Sequence, residues 1–394
     1  MLDFRIAIGM FLAIATLPGT LELLFLTVSG ILPPKLRVRP RKKKSYRVAV
    51  VVPAHNEELH VGRCVRSVLG ADHESIEREV IVIADNCQDQ TAREASLAGA
   101  RVLTRTDDAN RGKGWALDFA FRTLDEERWD GFVVVDADSE VAPNFLTELT
   151  GLLQSGADAA QCRYLVRNAG ESIRTRLMRV AGGAFNVLRP RGRDRCGLSA
   201  GLYGNGFALS AATLQAVPYS SVSVVEDLEY HLALLRAGKK VRFADLTTVY
   251  GDMPGSGAGV NTQRARWEGG RLRMIMKNAP QLAGEVLRGR FVFLEPCLDL
   301  LLLPLAFHVT LLLIMATTPS STIRGLALLS LGLVGVHLFV GIRVIGGGLP
   351  DVAALLGAPF YIVWKLLLIP KLIAGSRSSS AWVRTERMAE RKIP

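Results

Sequence analysis

Cysteine is scarce and unpatterned. The 394-residue chain has 5 cysteines, at Cys64, Cys87, Cys162, Cys196 and Cys297. They have neither the paired spacing of zinc ligands nor the density of a disulfide framework, and they read as reduced thiols in a cytosolic setting. A Gly-x-Gly-x-x-Gly turn is missing after the first expected strand, which sets aside a dinucleotide-binding Rossmann domain. No nucleic-acid-binding motif accompanies the formal net charge of +11, so the charge is not read as a nucleic-acid footprint. A small-residue cleavage pattern is absent before Pro33-Pro34. The apolar stretch 6–32 is also too long for the core of a signal peptide, so a retained transmembrane helix with its amino end outside is expected.

Long hydrophobic runs are present. Hydrophobic residues make up 49% and charged residues 22% of the chain, a mixture that fits a soluble domain joined to membrane segments. Lys35, Arg37, Arg39, Arg41, Lys42, Lys43, Lys44 and Arg47 follow the first apolar run, as juxtamembrane charge does on the cytoplasmic side of a membrane. Within that run Glu22 is expensive and should face protein or water. Near the other end, Leu298 to Ala316 and Gly325 to Val344 are each long enough to span. Ala353 to Ile373 carries Pro359, Lys365, Pro370 and Lys371 and is expected at the interface or re-entrant. Three spans keep the basic tail (Arg377, Arg384, Arg387, Arg391, Lys392) inside, as the positive-inside rule favours.

Between the apolar ends, strand and helix alternate. Val48 to Val52, Glu79 to Ala84, Arg101 to Leu103 and Phe132 to Val135 read as strands of a mostly parallel α/β sheet with helices between them. The strand at Gly131 runs into Asp136-Ala137-Asp138. Ligands of such sheets gather beyond the strands' carboxyl ends, and two carboxylates around one small residue suit a hard divalent cation. A solvated turn after a strand explains the pair alone equally well. Glu226-Asp227 opens an expected helix, Gly201 to Gly206 is a flexible turn, and Gly251 to Asn261 is a glycine-rich loop. Thr262 to Lys277 reads as a helix that places Gln263, Arg266 and Trp267 on one face.

Asp85 after a strand, Asp136-Ala137-Asp138, Glu226-Asp227 and Gln263-Arg264-Ala265-Arg266-Trp267 stand in that order. Together they resemble the membrane-integrated family 2 glycosyltransferases of GT-A fold, the branch of cellulose, chitin and hyaluronan synthases and NodC-like enzymes. The resemblance covers about residues 46 to 280 and the flanking apolar layout. It implies an α/β GT-A domain flanked by transmembrane helices, with Pro53, Ala54, Asn56, Glu57 and Asp85 at the nucleotide. Asn56 and Glu57 also suit a plain helix N-terminus. Lys113, in Asn110-Arg111-Gly112-Lys113-Gly114, would lie beside the sugar nucleotide; an ordinary glycine-rich turn explains that stretch as well. Asp136 and Asp138 would hold Mg²⁺ or Mn²⁺ against the diphosphate. Asp227, with Glu226, would be the general base, and Gln263, Arg264 and Arg266 would contact phosphate. Trp267, Asn205 and Gly206 would face the acceptor.

The resemblance implies a hexosyltransferase that moves a sugar from a UDP-sugar onto a growing β-linked glycan of the envelope or exopolysaccharide. A single transfer onto a polyprenyl-diphosphate-linked acceptor, or a non-catalytic synthase subunit, stays open. The implied setting is multi-pass in a bacterial inner membrane with the catalytic domain cytoplasmic, and an export subunit or a second copy is a possible partner. The expected organisation is a transmembrane helix at 1–34, a basic linker at 35–47 and the glycosyltransferase domain at 48–290. Apolar helices at 291–375 and a basic tail at 376–394 complete it.

Overall fold

Tyr46–Ala54, YRVAVVVPA, is buried along nearly its whole length, as a strand covered on both faces must be. In the computed structural model it becomes β1, an interior strand of an eight-stranded sheet. The structure describes residues 2–33, 45–73, 75–221, 223, 225–253 and 258–367. For 2–3 and 258–268 only the backbone is described, so the side chains of Gln263, Arg264, Arg266 and Trp267 lie outside the described residues, as do the basic cluster 35–44, loop residues 254–257 and the tail.

The other strands are β2 (Ile76–Asp85), β3 (Arg101–Arg105), β4 (Gly131–Val134), β5 (Ser139–Val141), β6 (Ala159–Val166), β7 (Phe207–Ser210) and β8 (Val241–Gly251). Their order is β3-β2-β1-β4-β7-β6-β8-β5. β2 and β4 flank β1 in parallel, and β3 lies parallel to β2. β7 then turns the sheet antiparallel against β4 and β6, while β8 is parallel to β6 and antiparallel to β5. Chain order reverses across β1 and β4, the kind of switch where open α/β sheets bind ligands. The carboxyl ends of β1, β2 and β4 therefore carry Ala54, Asp85 and the Asp136 turn to one edge.

Helix Val61–Leu69 buries Val61, Cys64, Val65 and Val68, a spacing of three and four residues that gives one apolar face. Helix Phe145–Gln154 buries Phe145, Leu146, Leu149 and Leu153 in the same way. Both pack into a core with Val48, Val50, Val52, Val80, Val82, Val133 and Val135. Helices Thr91–Leu97, Lys113–Leu124 and Phe145–Gln154 alternate with the strands, and the helix expected at Glu226-Asp227 is Glu226–Arg236.

The chain divides into two compact units. The sheet unit takes the described residues from 45 to 171 and 199 to 253, with the backbone of 258–267. The helical unit takes 2–33, 172–198 and 268–367. Residues 172–198 and 268–290, placed by sequence in the glycosyltransferase domain, thus cluster with the apolar helices.

In the helical unit, Leu12, Leu23, Leu312, Met315, Ile323, Ala327 and Val334 form a core cluster. Pro18 sits inside the continuous helix Leu2–Gly30. Glu22, flagged as a costly passenger, is 2% exposed. The expected span Leu298 to Ala316 is not one helix. It breaks into Leu294–Leu301 and Leu305–Ala316, and the apolar pair Phe291–Leu301 and Leu305–Ala316 meets at 76°. Pro304 explains the break, because it disfavours helical backbone at the residue before it and has no N–H to give. Among the described residues three helices are long and apolar enough to cross a membrane, Phe4–Gly30, Ser321–Val344 and Leu349–Leu367, or four spans if the bent pair counts as one.

Candidate active site

Two loops meet at the ends of β1 and β2. Asn56 and Asn86 adopt left-handed backbone, with φ of 53° and 50°, a region Asn tolerates better than most residues. Asn56 Oδ1 accepts from Gln88 N at 2.8 Å, and Thr91 Oγ1 accepts from Glu57 N at 2.8 Å. Glu58 Oε2 accepts from Gln90 N at 2.9 Å, and Asp85 O accepts from His55 Nδ1 at 2.7 Å. The loops therefore brace each other, and Glu57 is held by its backbone through Thr91.

Asp85 is 5% exposed. Its Oδ1 accepts from Arg105 at 2.6 Å and from Asn86 Nδ2 at 3.1 Å. Arg105 extends its other arm to Asp107 at 2.8 Å. Register explains the pairing, since Asp85 stands opposite Arg105 across β2 and β3. Arg105 was not singled out in sequence, where it is one polar end of a short strand.

The Asp136 turn is built with equal economy. Ser139 N donates to Asp136 O at 3.0 Å and closes it. Asn205 clamps both sides, accepting from Asp136 N at 3.1 Å and donating to Ser139 Oγ at 2.9 Å. Ser139 Oγ in turn donates to Asp138 Oδ1 at 3.1 Å. Asn205, expected to face the acceptor, is 1% exposed with its amide engaged in the turn. Gly206 is likewise structural. Its φ is +69°, and a Cβ there would lie 2.5 Å from Cys162 Sγ and 2.6 Å from Val249 Cγ1. Its N–H donates to Val134 O and its carbonyl accepts from Cys162 N.

Lys113, at the start of its helix, donates to Asp136 Oδ1 and to Gly204 O. The Glu226-Asp227 pair opens the helix Glu226–Arg236, and Asp227 Oδ1 accepts from Leu228 N at 2.8 Å. A Cβ on Gly204 would stand 3.3 Å from Asp227 Oδ2 and 3.6 Å from Lys113 Nζ, so the ammonium and this carboxylate both border Gly204. Burial, then the charge of Asp227, raises Glu226 to about 7, with Lys113 opposing. Burial also raises Asp227 above its usual range, against the pull of the Leu228 N–H and Lys113. Burial alone would lower Lys113, but Asp136, Glu226 and Asp227 outweigh it and hold the ammonium above its ordinary value. Perturbed groups converging in this way mark functional sites.

A divalent cation can be judged by the donors present. Asp136 and Asp138 offer oxygen only, the chemistry Mg²⁺ and Mn²⁺ take. Among the described residues no group of three His, Cys, Asp or Glu side chains could hold a metal ion by itself. The pair therefore fits a cation that completes its shell with diphosphate oxygens and water.

Sequence thus placed Pro53, Ala54, Asn56, Glu57, Asp85, Lys113, Asp136, Asp138, Glu226 and Asp227 at this edge of the sheet unit. The backbone of the Gln263 to Trp267 segment lies on helix Ala258–Leu287. Sheet, acidic turn and adjacent carboxylate pair define the class as a GT-A-type glycosyltransferase domain. Residues 46–270 match the profile of the glycosyltransferase like family 2, and the chain belongs to that family.

Its relatives include a protein of Bacillus subtilis named probable glycosyltransferase YdaM, 25% identical over 266 residues, which are 65% of this chain and 62% of that one. A beta-monoglucosyldiacylglycerol synthase of Trichormus variabilis is 28% identical over 189 residues, 46% of this chain and 40% of the relative. The match therefore spans less than two thirds of the length of either curated relative. Among solved structures, mannosyltransferase PcManGT from Pyrobaculum calidifontis, in complex with GDP-Man and Mn²⁺, superposes with a TM-score of 0.55 at 17% identity. That likeness covers 94% of this chain and 97% of the other, and it concerns the fold.

Proposed function

We propose that the chain is a membrane-held, inverting hexosyltransferase that moves a sugar from a UDP-sugar to a hydroxyl of a growing glycan. The observation that carries this reading is the gathering of Asp136, Glu226 and Asp227 around the Lys113 ammonium at the carboxyl ends of the parallel strands. Asp227 takes the proton of the acceptor hydroxyl. The freed oxygen pair forms a bond to the anomeric carbon from the face opposite the leaving group, and the bond to the diphosphate breaks with its electrons. Nucleoside diphosphate departs and the configuration at that carbon inverts. Glu226, beside Asp227, sets the charge the base works against. Asp136 and Asp138 would hold Mg²⁺ or Mn²⁺, which neutralises charge on the departing diphosphate. Pro53, Ala54, Asn56, Glu57 and Asp85, with Arg105 behind Asp85, receive the nucleotide. Gln263, Arg264 and Arg266 are assigned to phosphate, with Trp267 as the stacking surface for the acceptor sugar.

A second reading takes a lipid-borne acceptor, diacylglycerol-like or polyprenyl-diphosphate-linked, and adds one sugar. The relative named beta-monoglucosyldiacylglycerol synthase favours it, as do the three or four candidate spans among the described residues, few for a polymer channel. A multi-pass bacterial inner membrane with the sheet unit in the cytoplasm is the setting both readings use. The test is purified full-length protein in lipid with Mn²⁺ or Mg²⁺, a panel of UDP-sugars, and sizing of the product. A ladder without added acceptor supports the polymer reading; one mass increment that needs a lipid acceptor supports the second. No UDP release with any donor or acceptor contradicts both.

A further inference from the structure

Helix 349–367 is turned inside out. Its outward residues, Leu349 at 84% exposure, Val352 at 37%, Leu356 at 81%, Phe360 at 81%, Val363 at 56% and Leu367 at 73%, recur every three or four positions and are all apolar. Its inward face carries Asp351 and Lys365, 3% and 5% exposed. Charge inside and hydrocarbon outside is the pattern of a helix whose solvent is lipid. By length and composition it qualifies as a span of 19 residues, about 28 Å long at the α-helical rise.

Helix Ile173–Gly182, capped by Ser172 with Thr175, crosses the middle of that stretch. Ile173 Cγ2 lies 2.9 Å, and Leu177 Cδ1 3.7 Å, from where a Cβ on Gly357 would stand. Toward one end Arg174 stacks on Trp364, 4.7 Å from the ring centroid; toward the other Arg176 faces Asp351 at 3.9 Å. Arg176 keeps 28% of its side chain exposed, and Arg174 and Arg179 are also only half-buried. Arg193, in the core of the same unit, differs: it is 4% exposed and paired with Glu295 and Asp299. If 349–367 crossed a bilayer, Arg174 and Arg176 would be held toward opposite ends of the span with partly exposed guanidinium groups within the hydrocarbon, where charge is costly. Along the surface they meet water and headgroups, with Trp364 and Tyr361 at the level aromatic residues prefer.

We propose that Leu349–Leu367 lies along the bilayer surface, its apolar stripe in the outer acyl layer, while Arg174, Arg176 and Arg179 bind anionic phospholipid headgroups. The proposal rests on the membrane setting given above.

The test places single spin-labelled cysteines at Val352, Leu356, Phe360 and Val363 in the full-length chain carrying Cys196→Ser and Cys87→Ala; the remaining cysteines are buried. A label at Ile14, 72% exposed in the first apolar helix, is the reference. In vesicles of phosphatidylcholine and phosphatidylglycerol, depth is read from oxygen against nickel-chelate accessibility. Four equal, shallow depths beside a deep Ile14 are expected. A depth maximum at Leu356 and Phe360, matching Ile14, overturns the surface placement. Water-like accessibility at the four positions with Ile14 deep also overturns it. Water-like accessibility at all five, Ile14 included, defeats the membrane setting instead. For the headgroups, the triple variant Arg174→Gln, Arg176→Gln, Arg179→Gln is compared with the unchanged chain for phosphatidylglycerol retained in native mass spectrometry. A fall of twofold or more is expected, and equal retention overturns the arginine assignment.

Discussion

Asp85 and Arg105 show what a single residue's role costs to read. The aspartate was legible because it ends a buried run, whereas its partner was not, because only the β2–β3 register sets it opposite. Removing one member of a buried ion pair strands the other, typically at about 3–5 kcal/mol. Arg105→Met is therefore expected to lose about that much stability in urea unfolding, and adding Asp85→Asn to recover a large part of it. Equal loss in the single and double variants would show the pair is not what stabilises this corner. Glu226 gives a pH prediction. It is raised to about 7, first by burial and then by Asp227. The carboxylate pair thus takes up a proton as pH falls through that region, and a protonated base cannot accept another. kcat/KM is expected to rise with pH through about 7 and then level off. Glu226→Gln removes the like charge beside Asp227 and should move the limb to lower pH; an unmoved limb assigns it elsewhere.

At the scale of elements, β1, β2 and β4 were legible as unbroken apolar runs, and the acidic turns followed from where those runs stop. β5, β6 and β7 were not. Ser139–Val141 is three residues long, Ala159–Val166 contains Gln161 and Arg163, and Phe207–Ser210 hides behind a glycine turn. Their strand character comes from pairing, a tertiary property that local propensity does not hold. The same turn explains why Asn205 and Gly206 read in sequence as part of an acceptor loop: glycine and asparagine suit a flexible loop as well as a tight joint between β4, β6 and β7. Gly206→Ala must fit a Cβ within 2.6 Å of Cys162 and Val249 at a φ of +69°. Strained backbone of this kind costs about 1–3 kcal/mol, and contact with the core adds to it. A lowered melting temperature with weakened donor binding is expected, and an unchanged melt would mean the joint yields freely. Leu149→Ala, beneath the sheet with no exposure, should cost about 2–5 kcal/mol while leaving the KM for donor unchanged in the folded fraction.

Across the whole molecule, the α/β domain and the apolar helices were readable from strand–helix alternation and from the long apolar runs. The break at Pro304 was readable in principle, since proline marks the end of one helix and the start of the next. The assignment of 172–198 to the helical unit was not: those residues are basic and glycine-rich, and only packing buries Arg189, Arg191 and Arg193 at 5%, 5% and 4% exposure. One claim is central: the half-buried Asp227 carboxylate, beside Lys113, is the base of a glycosyl transfer. The most direct measurement compares Asp227→Asn with the unchanged chain in lipid, following donor binding and turnover on the same preparation. General-base help is worth about 10² to 10⁴ in rate, so turnover should fall by that factor while donor affinity stays within about twofold. Turnover equal to that of the unchanged chain, with donor still bound, would contradict the assignment of Asp227.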